Sequence, residues 1–99
     1  MSTKMAPIHP GEVLLEDFMN PRNLSANRLA LDLHVPPNRI SDVIRGKRSI
    51  PAETALRLAL YFDTSPELWT GLQSQYDLQI AEDTAGAQIR NEVMRAARA

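Results

Sequence analysis

Apolar residues recur at three- and four-residue steps along most of this chain and never alternate with polar ones over several positions. That spacing is the mark of helices with one buried face, and the absence of alternation removes the signal for strands. The pattern predicts an all-α fold. A first helix is expected over residues 12–19, with Val13 or Leu14 and Phe18 as its apolar stripe. His9-Pro10-Gly11 leads into it, Glu12 suits its positive end, and Asn20-Pro21 stops it. Ser25 is a good N-cap for a second helix running to about residue 33. Pro37 opens a third that ends near Arg45, before Gly46 in the left-handed conformation. Pro51 opens a fourth with Ala55, Leu58, Ala59 and Phe62 on one face. Ser65-Pro66-Glu67 starts a fifth carrying Leu68, Trp69, Leu72 and Tyr76. Gly86 weakens the helical pattern beyond it, yet Ile89, Val93, Met94 and Ala97 still fall on one side of a short C-terminal sixth helix. The expected division is an N-terminal segment at 1–8, a helical domain at 9–80 and a helical tail at 81–99.

The second and third helices have the proportions of a helix-turn-helix. Ala30 is small where the two must cross closely, Leu29 and Leu33 share a face, and Val35, Ile40 and Val43 supply the partner face. His34 occupies the turn, where a positive φ is expected; histidine, asparagine and aspartate are the side chains that tolerate it best after glycine.

The 99 residues hold 11 basic and 12 acidic side chains, a formal charge of −1, so bulk charge selects no partner. Its distribution is more informative. Arg22, Arg28, Arg39, Arg45, Lys47 and Arg48 face only Asp32 and Asp42 within residues 22–48, a local +4 between acidic flanks, as a phosphate-binding face requires. Cysteine is absent, which excludes a disulfide framework and thiolate chemistry. No apolar run spans a bilayer and no signal-peptide core is visible, so a cytoplasmic protein is expected. His9 and His34, the only histidines, sit in different loops, so no metal site or other cofactor is expected. Neither a glycine-rich phosphate loop nor a nucleophile–base pair is present, and an enzyme is not expected.

With Ile40, Val43 and Ile44 turned to the core, the third helix presents Asn38, Arg39, Ser41, Asp42 and Arg45 outward, with Pro37 at its leading end. Arginine bonds bidentately to guanine, asparagine to adenine, and aspartate accepts from cytosine. Asn38, Arg39 and Asp42 are therefore the candidates for base readout. Asp42 belongs on such a face if it reads a base or orients Arg39 or Arg45. Ser25, Asn27, Lys47 and Arg48 flank the groove and are candidates for phosphate contacts, which position without reading sequence.

These residues resemble a known family. Residues 24–62 resemble the XRE helix-turn-helix superfamily, with its lambda-repressor-like five-helix fold. Pro7-Ile8-His9-Pro10-Gly11-Glu12, Ser25-Ala26-Asn27-Arg28-Leu29-Ala30, Val35-Pro36-Pro37-Asn38-Arg39-Ile40-Ser41, Gly46-Lys47-Arg48, Thr54-Ala55-Leu56-Arg57-Leu58 and Thr64-Ser65-Pro66-Glu67-Leu68-Trp69 are similar to the HigA (VapI-like) antitoxins of bacterial type II toxin–antitoxin modules. The resemblance implies a homodimer on a palindromic operator, with recognition helices roughly 34 Å apart in successive major grooves. It implies a HigB toxin partner, a RelE-like mRNA endonuclease, and repression of the pair's own operon. A free-standing XRE-type regulator without a toxin is the alternative. His34 replaces the usual glycine of the turn and Pro36 the common serine cap, and both bear on the pitch of the third helix. The surfaces expected to meet a basic toxin are the first helix, with Glu12, Glu16 and Asp17, and the acidic fifth helix. The stretch around Ile89, Val93 and Met94 is expected to form a packing or dimer seam.

Overall fold

The computed structural model describes residues 6–97, and these form five helices with no strand among the described residues. The first, α1, spans Pro10–Val13, continues as a π-helical turn over Leu14–Met19 and tightens into a 3₁₀ turn at Asn20–Arg22. Then come α2 (Ala26–Leu33), α3 (Pro37–Ile44), α4 (Ala52–Phe62) and α5 (Pro66–Glu92). Of the expected N-terminal segment, residues 1–5 lie outside the described residues, as do 98 and 99 of the tail.

The first helix is longer than the pattern predicts. Pro21 reads as its stop, since proline neither donates an N–H nor fits against the carbonyl four residues back. Instead the Asn20 N–H bonds the Leu15 carbonyl, five residues back, and the chain passes through Pro21 in the 3₁₀ turn. The wider π turn puts residues five apart on one side, and Leu14 and Met19 are both buried.

Left-handed residues stop the first four helices. Asn23, His34, Asp63 and Gly46 have φ of 56°, 60°, 57° and 75°. At Asn23 the bonds are Asn23 N–H to Asn20 O and Leu24 N–H to Met19 O, both 3.0 Å, which together satisfy carbonyls that a helix end leaves open. His34 thus has the positive φ expected of the turn, and Gly46 that expected of the third helix's end.

Leu14, Met19, Leu29, Ala30, Ile40, Val43, Ala55, Leu58 and Trp69 form the buried core. The Trp69 ring lies 4.9 Å from Phe18 and 6.3 Å from Phe62, and its indole N–H donates to Thr64 Oγ1 at 2.9 Å. Gly11 marks a close approach of the first helix to α3, because a Cβ there would be driven into the Val43 carbonyl. Both sides of that contact are backbone, so neither can rotate away. Gly11→Ala should therefore cost about 1–3 kcal/mol, lowering the melting temperature by roughly 4–8 °C per kcal/mol. Gly71 in α5 has open space where its Cβ would sit, and Gly71→Ala should stabilise by about 0.5–1 kcal/mol. Thermal melts of the two variants check both signs.

The separate sixth helix does not form. α5 runs unbroken through residues 80 and 81 and past Gly86 to Glu92, and Val93, Met94 and Ala97 lie beyond its end. One helical glycine weighs only about 1 kcal/mol against the helix. Here the Glu82 side chain lies over Gly86 and takes two bonds from Arg90, at 2.7 and 3.1 Å, bridging the weak point.

Candidate nucleic-acid interface

The helix-turn-helix is built from backbone bonds that the local sequence dictates. The Ser25 hydroxyl oxygen accepts the Arg28 N–H at 3.0 Å, opening α2 and leaving its own proton free to donate outward. At the other end Val35 N–H bonds Ala30 O at 3.0 Å and His34 N–H bonds Leu31 O at 3.2 Å. Pro36 is extended (φ −60°, ψ 144°) and offers no side-chain cap; Pro37 opens α3, and Arg39 N–H closes the first turn on Pro36 O at 3.0 Å. Pro36 therefore does the cap's work with backbone alone. Ala30 and Leu29 of α2 meet Ile40 and Val43 of α3 in the buried seam.

The end of α3 repeats the helix-stop device with one difference. Gly46 N–H bonds Val43 O at 3.0 Å and Lys47 N–H bonds Asp42 O at 2.8 Å. The residue after the left-handed position is commonly apolar and packs inward, as Leu24 and Val35 do against the core. At α3 it is Lys47, fully on the surface. The fold places a cation where its own stability would favour a hydrophobe.

The ten residues singled out from the sequence divide into two sets. Asn27, Asn38, Arg45 and Lys47 are exposed and Arg39 is half-buried, and their side chains have no hydrogen-bond or ion-pair partner among the described residues. Pro37 is exposed at the leading end of α3. The rest are engaged within the chain. Ser25 caps α2, and Ser41 is half-buried with its hydroxyl donating to Asn38 O at 3.3 Å. Asp42 pairs with Arg48, Oδ2 to Nη2 at 3.6 Å. That corrects the expectation that Asp42 orients Arg39 or Arg45: the chain reverses direction at Gly46 and brings Arg48 back beside Asp42.

The local positive charge of +4 falls on the four cations that the two aspartates of this stretch leave unpaired. Arg22 lies 5.0 Å over the Phe62 ring and donates to Phe18 O at 2.9 Å, while Arg28 pairs with Asp32 at 3.2 Å. Asp32 also accepts the Tyr61 hydroxyl at 2.9 Å, which holds that phenol in its protonated form and raises its pKa above the ordinary value. Arg39, Arg45 and Lys47 remain as cations with no partner among the described residues, beside Arg22, which is held by a carbonyl and aromatic rings but keeps its charge.

Along the sequence His9 reads as a lead-in to the first helix and a poor metal ligand, and Tyr76 as part of the fifth helix's apolar face. In the structure His9 Nδ1 accepts the Gly11 N–H at 2.9 Å, capping α1, and its ring meets Tyr76 edge-on with centroids 4.8 Å apart. Burial pushes the imidazole below its usual pKa, partly opposed by the Asp77 carboxylate. Gln73, buried on α5, accepts the Ile50 N–H at 2.8 Å and donates to Asp77 at 2.9 Å. The blocks around His9 and Gly46 are both visible as motifs, but nothing along the chain shows that they touch. No cluster of metal-ligating side chains exists among the described residues, and no helix there is long and apolar enough to cross a membrane.

The helix-turn-helix family (HTH_3) matches residues 15–69. Virulence-associated protein I of Dichelobacter nodosus is 48% identical over 80% of this chain and 73% of its own length. An addiction module antidote protein of a HigA family from Coxiella burnetii superposes with a TM-score of 0.88 at 47% identity, over 93% of this chain and all of that one. The Pseudomonas aeruginosa antitoxin HigA, solved with the higBA promoter, gives 0.88 at 41% identity, over 92% and 99% of the two chains. The chain belongs to the helix-turn-helix family of the XRE type and, within it, to the HigA (VapI-like) antitoxins. Of these relatives, one is an addiction module antidote protein and one an antitoxin solved with promoter DNA.

Proposed function

We propose that this chain is the antitoxin of a HigBA-type module and a sequence-specific autorepressor, a cytoplasmic homodimer on a palindromic operator. The observation that carries the DNA half is the row of unpartnered Asn38, Arg39, Arg45 and Lys47 on α3 and its following turn, in a fold whose relative was solved with promoter DNA. Asn38 and Arg39, on the first turn of α3, read base edges from the major groove, with Pro37 at the rim. Ser41 is tied to its own helix, so it meets DNA only through its remaining lone pairs. Asp42 acts chiefly by steering Arg48. Ser25, Asn27, Arg45, Lys47 and Arg48 contact phosphates. A second copy is supported by the outer face of distal α5, where Leu78 and Ile89 are 68% and 47% exposed.

The toxin half rests on the family and on charge. Glu12, Glu16 and Asp17 are exposed, adjacent on one helix and carry no ion pair among the described residues, whereas on α5 Glu82 is paired with Arg90, Asp77 and Glu92 are held by glutamines, and Glu67 stands apart from them near the start of the helix. We therefore assign the docking of a basic, RelE-like mRNA endonuclease to the first helix rather than to the fifth.

Titration of labelled DNA from upstream of the chain's own gene, at several salt concentrations, tests the first half. Lys47→Ala should weaken binding on all sequences alike and reduce the slope of log K against log salt by about 1 for each phosphate no longer neutralised. Unchanged affinity and slope would remove Lys47 from the interface. For the second half, the neighbouring gene product should co-purify with the wild type and be lost on Glu16→Lys/Asp17→Lys. Full retention would move the toxin elsewhere, and no capture at all would favour a free-standing regulator.

A further inference from the structure

We infer that His9 is a positioning residue for the DNA-contacting turn: its ring, wedged between α5 and Gly46, holds Lys47 and Arg48 in place. The inference rests on the DNA-binding reading above. The turn between α3 and α4 is tied at both ends. Lys47 N–H is fixed to Asp42 O at 2.8 Å, and Ile50 N–H is fixed to the buried Gln73 at 2.8 Å. Between them sits Gly46, left-handed and without a side chain, and the His9 ring covers the face where its Cβ would project. His9 is itself held by the Gly11 N–H at 2.9 Å and by Tyr76. Gln73, Tyr76 and Asp77 are three and four positions apart on α5, so one stretch of that helix anchors the turn through Ile50 and, through His9, through Gly46.

The chemistry of the cap makes the brace depend on charge state. Nδ1 accepts the Gly11 N–H only while unprotonated. A protonated ring loses that bond and leaves a cation half-buried against the Gly46 backbone and the Tyr76 ring edge. Asp77, on α5, is the charged group that acts on it, and it softens but does not reverse the effect of burial. The folded pKa lies below the ordinary 6.5. The brace is therefore intact above 6.5 and is lost as pH falls through the lowered value.

Hydrogen-exchange protection factors, read by NMR on the full chain without DNA, test the brace itself. In His9→Ala the Lys47 and Ile50 amides should lose about tenfold protection while the Leu29 and Leu58 amides hold. His9→Asn supplies an oxygen for the Gly11 N–H but no ring. It should restore the melting temperature without restoring the turn, and it keeps the test alive if His9→Ala folds poorly. Wild-type protection at Lys47 should fall with the same midpoint at which the His9 ring titrates, and His9→Asn should show no such step. With operator DNA, His9→Asn should bind about five- to tenfold more weakly on every sequence with an unchanged salt slope, since every phosphate-contacting cation is still present. Normal protection at Lys47 and Ile50 in both variants, or full rescue by asparagine, overturns the inference. Failure of the wild type to bind DNA would instead overturn the DNA-binding reading, with the exchange data still deciding whether His9 holds the turn.

Discussion

Replacing Trp69 with alanine should destabilise the domain by about 3–5 kcal/mol, the usual loss for a buried large aromatic. The indole has no exposed surface and lies in a group with Phe18 and Phe62, so its removal opens a cavity that three helices border. It also removes the donor to Thr64 Oγ1, the residue that follows left-handed Asp63 in the turn between α4 and α5. A domain of this size has a total stability of roughly 5–15 kcal/mol, so the loss is a large share of it and the melting temperature should fall by about 12–40 °C. Urea denaturation followed by circular dichroism is the suitable measurement, because Trp69 is the chain's one tryptophan and fluorescence would vanish with it. Trp69→Phe should recover more than half of the loss, since the ring stack survives and only the indole bond is gone. A Trp69→Ala midpoint within experimental error of the wild type would show that the aromatic group is not what joins α5 to the rest.

Much of this core is legible in the chain because it depends on local chemistry. Ser25 and Ser65 each precede a helix and each accept an N–H three residues on, at 3.0 and 3.2 Å. Gly46 and His34 mark left-handed stops because few residues tolerate that conformation. Asn23 and Asp63 do the same work, yet asparagine and aspartate are common enough elsewhere that neither stands out. The π turn is not legible, because its signature is a five-residue spacing from Leu14 to Met19 inside an otherwise helical pattern. The continuity of α5 is hidden by Gly86, whose weakness is masked by Glu82 and Arg90 eight positions apart. In the candidate interface the outward face of α3 comes from helical period alone. Which side chains neutralise each other does not, since Asp42 meets Arg48 only after the reversal at Gly46. The joining of His9, Gly46 and Tyr76 lies further still from any sequence signal, for it brings three distant segments together.

That division between free and engaged side chains sets the second large effect. Arg39→Ala should leave stability within about 0.5 kcal/mol of the wild type, because the side chain makes no ion pair or hydrogen bond among the described residues. Its effect on the operator should be large. One bidentate base contact contributes about 1–3 kcal/mol of discrimination, and a two-fold symmetric complex loses it in both half-sites. The affinity for the preferred sequence should fall by a factor of roughly 30 to 20,000, while binding to unrelated DNA changes only by the missing charge. Operators substituted one position at a time should locate the effect: the variant becomes indifferent at one base pair in each half-site, symmetrically placed, and keeps its preferences elsewhere. Arg48→Ala should behave differently, since its charge is already shared with Asp42 and its removal weakens all sequences by a similar, smaller factor. Equal losses on specific and unrelated DNA for Arg39→Ala would reassign that arginine to the phosphates, and Asn38 would then be left as the base-reading group on the first turn of α3.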